Sequence, residues 1–153
     1  MRAVAVAAVA LAVSGAAFGS SAFEGQWLAA AAKLNMAVLA PPAAPLGLKL
    51  ISVKPEKLGS CGATKEQLTA LYRSAGKEVF FVEGKPRVCG DVGEADEIGK
   101  PVIHGSRGSL LDYGPGAYLL IHSRFGVQIG IQTKGVTKAQ LLAIANSLHA
   151  VPN

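Results

Sequence analysis

Few residue types in this chain could do chemistry. His104, His122 and His149 are its only histidines, Cys61 and Cys89 its only cysteines, and Asp91, Glu94, Asp96 and Glu97 bunch four carboxylates together. By type alone, Ser106 with His104 or His122 and Asp112 could make a nucleophilic triad. Yet Gly105-Ser-Arg-Gly-Ser109 lacks the Gly-x-Ser-x-Gly elbow that lifts a serine between strand and helix. Surface serines and partly buried histidines are the expectation instead. The four carboxylates could attract calcium, but their spacing is not that of an EF-hand loop, and a solvated acidic loop is expected. Gly114-Pro-Gly116 lacks the lysine and helix of a phosphate cradle and reads as a turn. No catalytic residue, metal ligand or cofactor is assigned on these grounds.

Cys61 and Cys89 are expected to form a disulfide, as an even pair usually does in an oxidising compartment. Closing a loop of about 29 residues contributes roughly 3.5 kcal/mol in the chain-entropy model. A metal site would need four ligands, and no histidine lies near either cysteine in sequence. The N-terminus points to the same compartment. Met1-Arg2 precedes an Ala/Val/Leu run, and Ser20-Ser21-Ala22 supplies the small residues a signal peptidase needs, with cleavage before Phe23. Residues 1–22 therefore read as a signal peptide; left uncleaved, the same segment would be a membrane anchor. No cysteine is near that site, which rules out a lipid-modified one.

Composition narrows the class further. Half of the 153 residues are hydrophobic and 16% are charged, enough for one packed domain and too apolar for a disordered chain. After the signal segment no long uncharged run remains, so no membrane span is expected in the mature protein. Net charge is +5, but the lysines and arginines are dispersed and lack interleaved aromatics, which argues against nucleic acid. Weak attraction to anionic envelope polymers is compatible with it.

The elements that would position these groups read in order. Residues 23–36 predict a short helical segment with Trp27, Leu28, Ala31 and Leu34 on an apolar stripe. Ala37 to Gly47 reads as extended and stopped by prolines, and Leu48–Val53 as a strand closed by Lys54-Pro55. Residues 64–76 are open between a helix, capped by Thr64 and Gln67, and a strand pair around Ser74–Lys77. Glu78–Glu83 is a strand, residues 84–100 are turn-rich and acidic, and Pro101–His104 and Leu110–Tyr113 are short strands. Tyr118–Ser123 and Val127–Gln132 predict a hairpin with Arg124-Phe125-Gly126 at its tip. Thr137 and Gln140 then form a capping box ahead of Leu141, Ile144, Ala145 and Leu148 at helical spacing. The expected fold is α+β: residues 37–150 form a single domain, a curved antiparallel β-sheet with a C-terminal amphipathic helix packed on one face.

Val38-Leu-Ala-Pro with Pro45-Leu-Gly, Tyr72, Val79-Phe-Phe-Val, Val102-Ile-His-Gly105 and the closing hairpin and helix follow an order that resembles a bacterial envelope domain of unknown function. That domain, found in secreted and membrane-anchored proteins, is similar in turn to the outer-membrane lipoprotein carriers. The resemblance covers residues 37–148 and is strongest over Ala117–Leu148. It departs where family members place a tryptophan in the penultimate strand, here Leu119, Leu120 and Ile121. It implies an envelope location and a sheet with an apolar concave face, and it supplies no catalytic residue.

The consecutive apolar residues Val79–Val82 and Leu119–Ile121 must point to both faces of a sheet. A helix covers one face, so the other needs a covering segment, a partner or a ligand. The alanine-rich N-terminal segment is the expected cover. The functional expectation is a non-catalytic exported module binding a lipid, a peptide or an envelope protein. A small hydrolase acting on cell-wall or ester substrates is the alternative.

Overall fold

The computed structural model describes residues 22–57, 66–85, 87–89 and 92–152. Cys61, Thr64 and Asp91 lie outside these residues, as does nearly all of the signal segment. The chain enters through helix α1 (Ala22–Ala31), then a two-residue strand β1 (Leu39–Ala40) and a 3-10 turn over Pro45–Gly47. Strands β2 (Lys49–Lys57), β3 (Glu66–Ser74) and β4 (Lys77–Lys85) form one meander. Next come β5 (Asp96–Gly99) and a small ribbon of β6 (Val102–Ile103) and β7 (Ser106–Arg107). Strands β8 (Ser109–Asp112), β9 (Tyr118–Arg124) and β10 (Val127–Lys134) follow. Helix α2 (Lys138–Ser147) and β11 (His149–Ala150) close the chain. Seven strands make one antiparallel sheet in the order β2-β3-β4-β10-β9-β8-β5, so two meanders meet where β4 pairs with β10.

Local chemistry explains the turns. Ala75-Gly76, His104-Gly105 and Phe125-Gly126 each place both residues at positive φ, the mirror-image turn whose twist matches a right-handed hairpin. Residues 66–76 thus take the strand alternative, because every residue of β3 finds a partner on β4. The expected stop at Lys54-Pro55 does not occur: β2 runs through Pro55 to Lys57. Proline is tolerated there because β2 is an edge strand.

One face of the sheet is covered over its central strands. Leu68, Ala70 and Tyr72 of β3, Val79 and Phe81 of β4, Leu120 of β9, and Ile129 and Ile131 of β10 are all buried on it. Above them Trp27 of α1 donates its indole N–H to the Tyr72 hydroxyl at 2.7 Å and meets the Phe81 ring edge-on at 6.1 Å. The capping box on α2 is present, with Thr137 Oγ1 and Gln140 Oε1 each accepting the other's backbone N–H. Leu141, Ile144, Ala145 and Leu148 are buried, and the helix touches β10, β9 and β6.

Two expectations change here. Leu28 is 40% exposed and leaves the α1 stripe, while Ala30 is buried. More consequentially, the N-terminal segment does not cover the second sheet face: its Trp27 packs on Tyr72 and Phe81, the same face whose central strands α2 touches. The C-terminus also does more than end the helix. Strand β11 pairs with β1, and Val151 N–H donates to the Val38 carbonyl at 2.8 Å, stitching the two ends of the domain together.

Candidate functional site

The second, outer face is read directly from strand register. One transverse row is Thr69, Val82, Gly130 and Ile121; the next is Leu71, Phe80, Gln132 and Leu119. These side chains have neither helix above them. Glycine in the middle of a strand withdraws a side chain from the surface, and Gly130 does so at the centre of this one: a Cβ there would meet only ordinary contacts, 3.7 Å from Leu119 and 3.8 Å from the Val82 carbonyl. The result is a cavity of about 160 Å³ lined by Phe80, Val82, Val88, Cys89, Val92, Leu119, Ile121, Gly130 and Gln132.

Its roof is a strap of chain after β4. Residues 87–89 double back so tightly over Gly84 that a Cβ there would stand 2.2 Å from the Arg87 carbonyl oxygen, so only glycine fits. Gly84 is flanked in register by Gln67 on β3 and Gln128 on β10. Each glutamine pins the strap: Val88 N–H donates to Gln128 Oε1 at 3.0 Å, and Cys89 N–H donates to Gln67 Oε1 at 2.7 Å. Farther on, the Tyr113 hydroxyl donates to the Val92 carbonyl. Side-chain amides take the place of a backbone ladder here, which holds the strap above the sheet without adding a strand to it.

The covered face holds two ionisable groups of another kind. Glu83 is fully buried; its Oε2 accepts the Leu39 N–H at 2.9 Å, and its Oε1 has no hydrogen-bond partner among the described residues. Burial outweighs that one bond and pushes its carboxyl up to about 8. His122 is buried with neither ring nitrogen partnered among the described residues, and burial, followed by the charges of His104 and Arg124, pulls it down to about 4. Both groups are held neutral at the sheet's covered face.

The residues singled out by type are not drawn together as a triad through His122. Neither of its nitrogens bonds a serine or a carboxylate, and Asp112 Oδ1 accepts the Gly114 N–H within its own turn. His104 and Ser106 flank Gly105 in the β6–β7 ribbon. Gly114-Pro-Gly116 is a turn, closed by Ala117 N–H to the Gly114 carbonyl. Glu94 and Asp96 border a shallow polar depression with Asp112 and Tyr113, while Glu97 accepts the Ser109 hydroxyl, which lowers its carboxyl. Among the described residues no three His, Cys, Asp or Glu side chains could hold a metal ion. Of the expected disulfide, Cys61 lies outside the described residues, and Cys89 sits in the strap and is not a free thiol.

A second apolar hollow of about 220 Å³ lies between the chain ends, bordered by Trp27, Leu28, Pro41 and Val151 but also by the charged Glu24 and by His149. Type-based reading missed Gln67, Gln128, Gly84 and Gly130 altogether. The available signal was Gly130 inside a strand pattern, which marks a close approach or a gap; Gly84 fell in the turn-rich stretch, where a glycine carries no such signal. Comparison with known proteins adds no relative: no family model matches the chain, no curated protein is similar to it, and no solved structure matches it.

Proposed function

We propose that this chain is an exported, non-catalytic envelope module that binds an apolar ligand under the strap on the outer face of its sheet. The observation that carries the reading is the lining of that cavity, where among the described residues Gln132 is the sole polar side chain beside aliphatic residues, Phe80 and Cys89. A cavity so lined repels water and charged substrates and rewards apolar occupancy. Saturable fluorescence of the neutral dye N-phenyl-1-naphthylamine tests it. Gly130→Val, which fills the floor without straining the backbone, should abolish the signal while the far-UV spectrum and melting transition persist. Dye binding that survives Gly130→Val would end the proposal.

Export, a bridge between Cys61 and Cys89, curvature of the sheet and kinship with the lipoprotein carriers belong to the same proposal. Supporting them are the leader-like N-terminus, a Cys89 that is not a free thiol, and an antiparallel meander followed by a helix that touches β10, β9 and β6. Among the described residues no helix is long and apolar enough to cross a membrane. Cleavage before Phe23 would remove only the first residue of α1 and leave the buried Trp27 with the mature chain. The intact mass of exported protein reads both events: a chain starting at Phe23 and lighter by two hydrogens is expected. A full-length or fully reduced mass would refute the corresponding part.

A further inference from the structure

We infer that the ligand is a single-chain anionic amphiphile, a medium-chain carboxylate whose tail lies over Gly130 and whose head meets a cationic row at the end of the outer face. This rests on the apolar-ligand reading above and adds the identity of the ligand's polar end. Beyond the Phe80 row, register places Lys49, Arg73, Glu78 and Lys134 side by side across β2, β3, β4 and β10. Three of the four are cationic. Glu78 is held by Arg73 at 2.6 Å, so the row carries net positive charge, with Lys134 two residues along β10 from Gln132, which lines the cavity.

At the opposite end the described residues bring one cation, Arg87 of the strap, which is already engaged elsewhere, against three in the Lys49–Lys134 row. There Gln67 and Gln128 spend their acceptor oxygens on the strap. The acids Asp96 and Glu97 lie on β5, three strand spacings from β10, or roughly 14 Å away. A ligand with one charged end is therefore oriented by the molecule: tail toward the strap, anion toward Lys134.

Size limits the tail. A dry cavity of about 150 Å³ holds a six-carbon ring, and this one is about 160 Å³. Gly130 and Lys134 are four residues apart on one strand, about 13 Å, which a chain of about eight carbons with its carboxylate can bridge. A two-chain lipid has no room, and a cationic amphiphile would present its head to like charge.

Competition against N-phenyl-1-naphthylamine by octanoate, octan-1-ol and octyltrimethylammonium tests the assignment on the intact mature protein. Octanoate should compete best and the ammonium worst. The preference for octanoate over octanol should fall about two- to fivefold in Lys134→Gln, the range of an exposed ion pair, and shrink further as salt is added. Should octanol compete as well as octanoate, with the ratio unmoved by Lys134→Gln or salt, the placement of the head is wrong while the apolar cavity stands. Failure of the dye to bind, or its binding equally to Gly130→Val, overturns both readings.

Discussion

The two faces of one sheet are built from the same strands and the same residue classes, yet they end in opposite states. On β4, Val79, Phe81 and Glu83 turn inward and are sealed, whereas Phe80 and Val82 turn outward and border a cavity. The difference lies in what arrives above. On the inner side α1 arrives through Trp27, and α2, from later in the chain, touches β10 and β9. Among the described residues, the outer side receives only a strap hung from two glutamines. Hydrophobicity alone therefore does not decide burial in this fold; the destination of the covering segment does.

Truncation should expose that contrast most sharply. Phe81→Ala removes a ring wedged against Trp27 and Tyr72 and is expected to cost about 3–5 kcal/mol in denaturant melts. Ile144→Ala, on the covering helix, should cost about 2–4 kcal/mol, since it also empties a buried site. A parent-like melt for Ile144→Ala would mean that α2 is not docked. Phe80→Ala, only one residue from Phe81, enlarges a space already present and should stay near 1 kcal/mol. Equal losses at positions 80 and 81 would erase the distinction between the faces.

Acidity sharpens the same comparison at a smaller scale, because the buried ionisable groups sit on the sealed side. Folded Glu83 keeps its proton up to about pH 8, against an ordinary value of 4.5, so the folded chain binds the extra proton and stability falls as pH rises across that window. Folded His122 stays neutral down to about pH 4, against an ordinary 6.5, so the unfolded chain binds the extra proton and stability falls as pH drops from 6.5 to 4. Between about 4.5 and 6.5 the two slopes oppose and cancel. Melts across pH should show a flat top there, with a decline outside it of up to about 1.4 kcal/mol per pH unit. Glu83→Gln should remove the alkaline limb and leave stability rising from about pH 4 to 6.5, and His122→Leu should remove the acid limb and leave stability falling from about pH 4.5 to 8; an unchanged profile in both would show that these groups are not buried as described.

How much of this was legible beforehand follows from range. The α2 stripe, its capping box and the Tyr118–Gln132 hairpin are local patterns, and they appear where periodicity puts them. Pro55 misled because an edge strand tolerates what a central one does not, and edge position is a property of the whole sheet. The site was hidden for the same reason. Gln67, Gly84 and Gln128 are far apart in sequence and become neighbours only once β3, β4 and β10 align. Glu83 reads as a surface charge at the end of an apolar strand, and only the arrival of Leu39 above it shows why a carboxyl could be left inside.

The pairing of β1 with β11 also determines how the domain would answer to mechanical load. Leu39 faces Ala150 and Ala40 faces His149, so the side of β1 leading to α1 lies next to the side of β11 leading to Pro152. Tension drawn through both ends would open these two short strands like a zip, one bond after another, instead of shearing them all at once. The large sheet, which lies in the chain between β1 and β11, would be spared until α1 had been drawn off Tyr72 and the zip had parted. A domain tethered at one end and tugged at the other would thus yield first at α1 and its seam, with the strap and the cavity beneath it still in place.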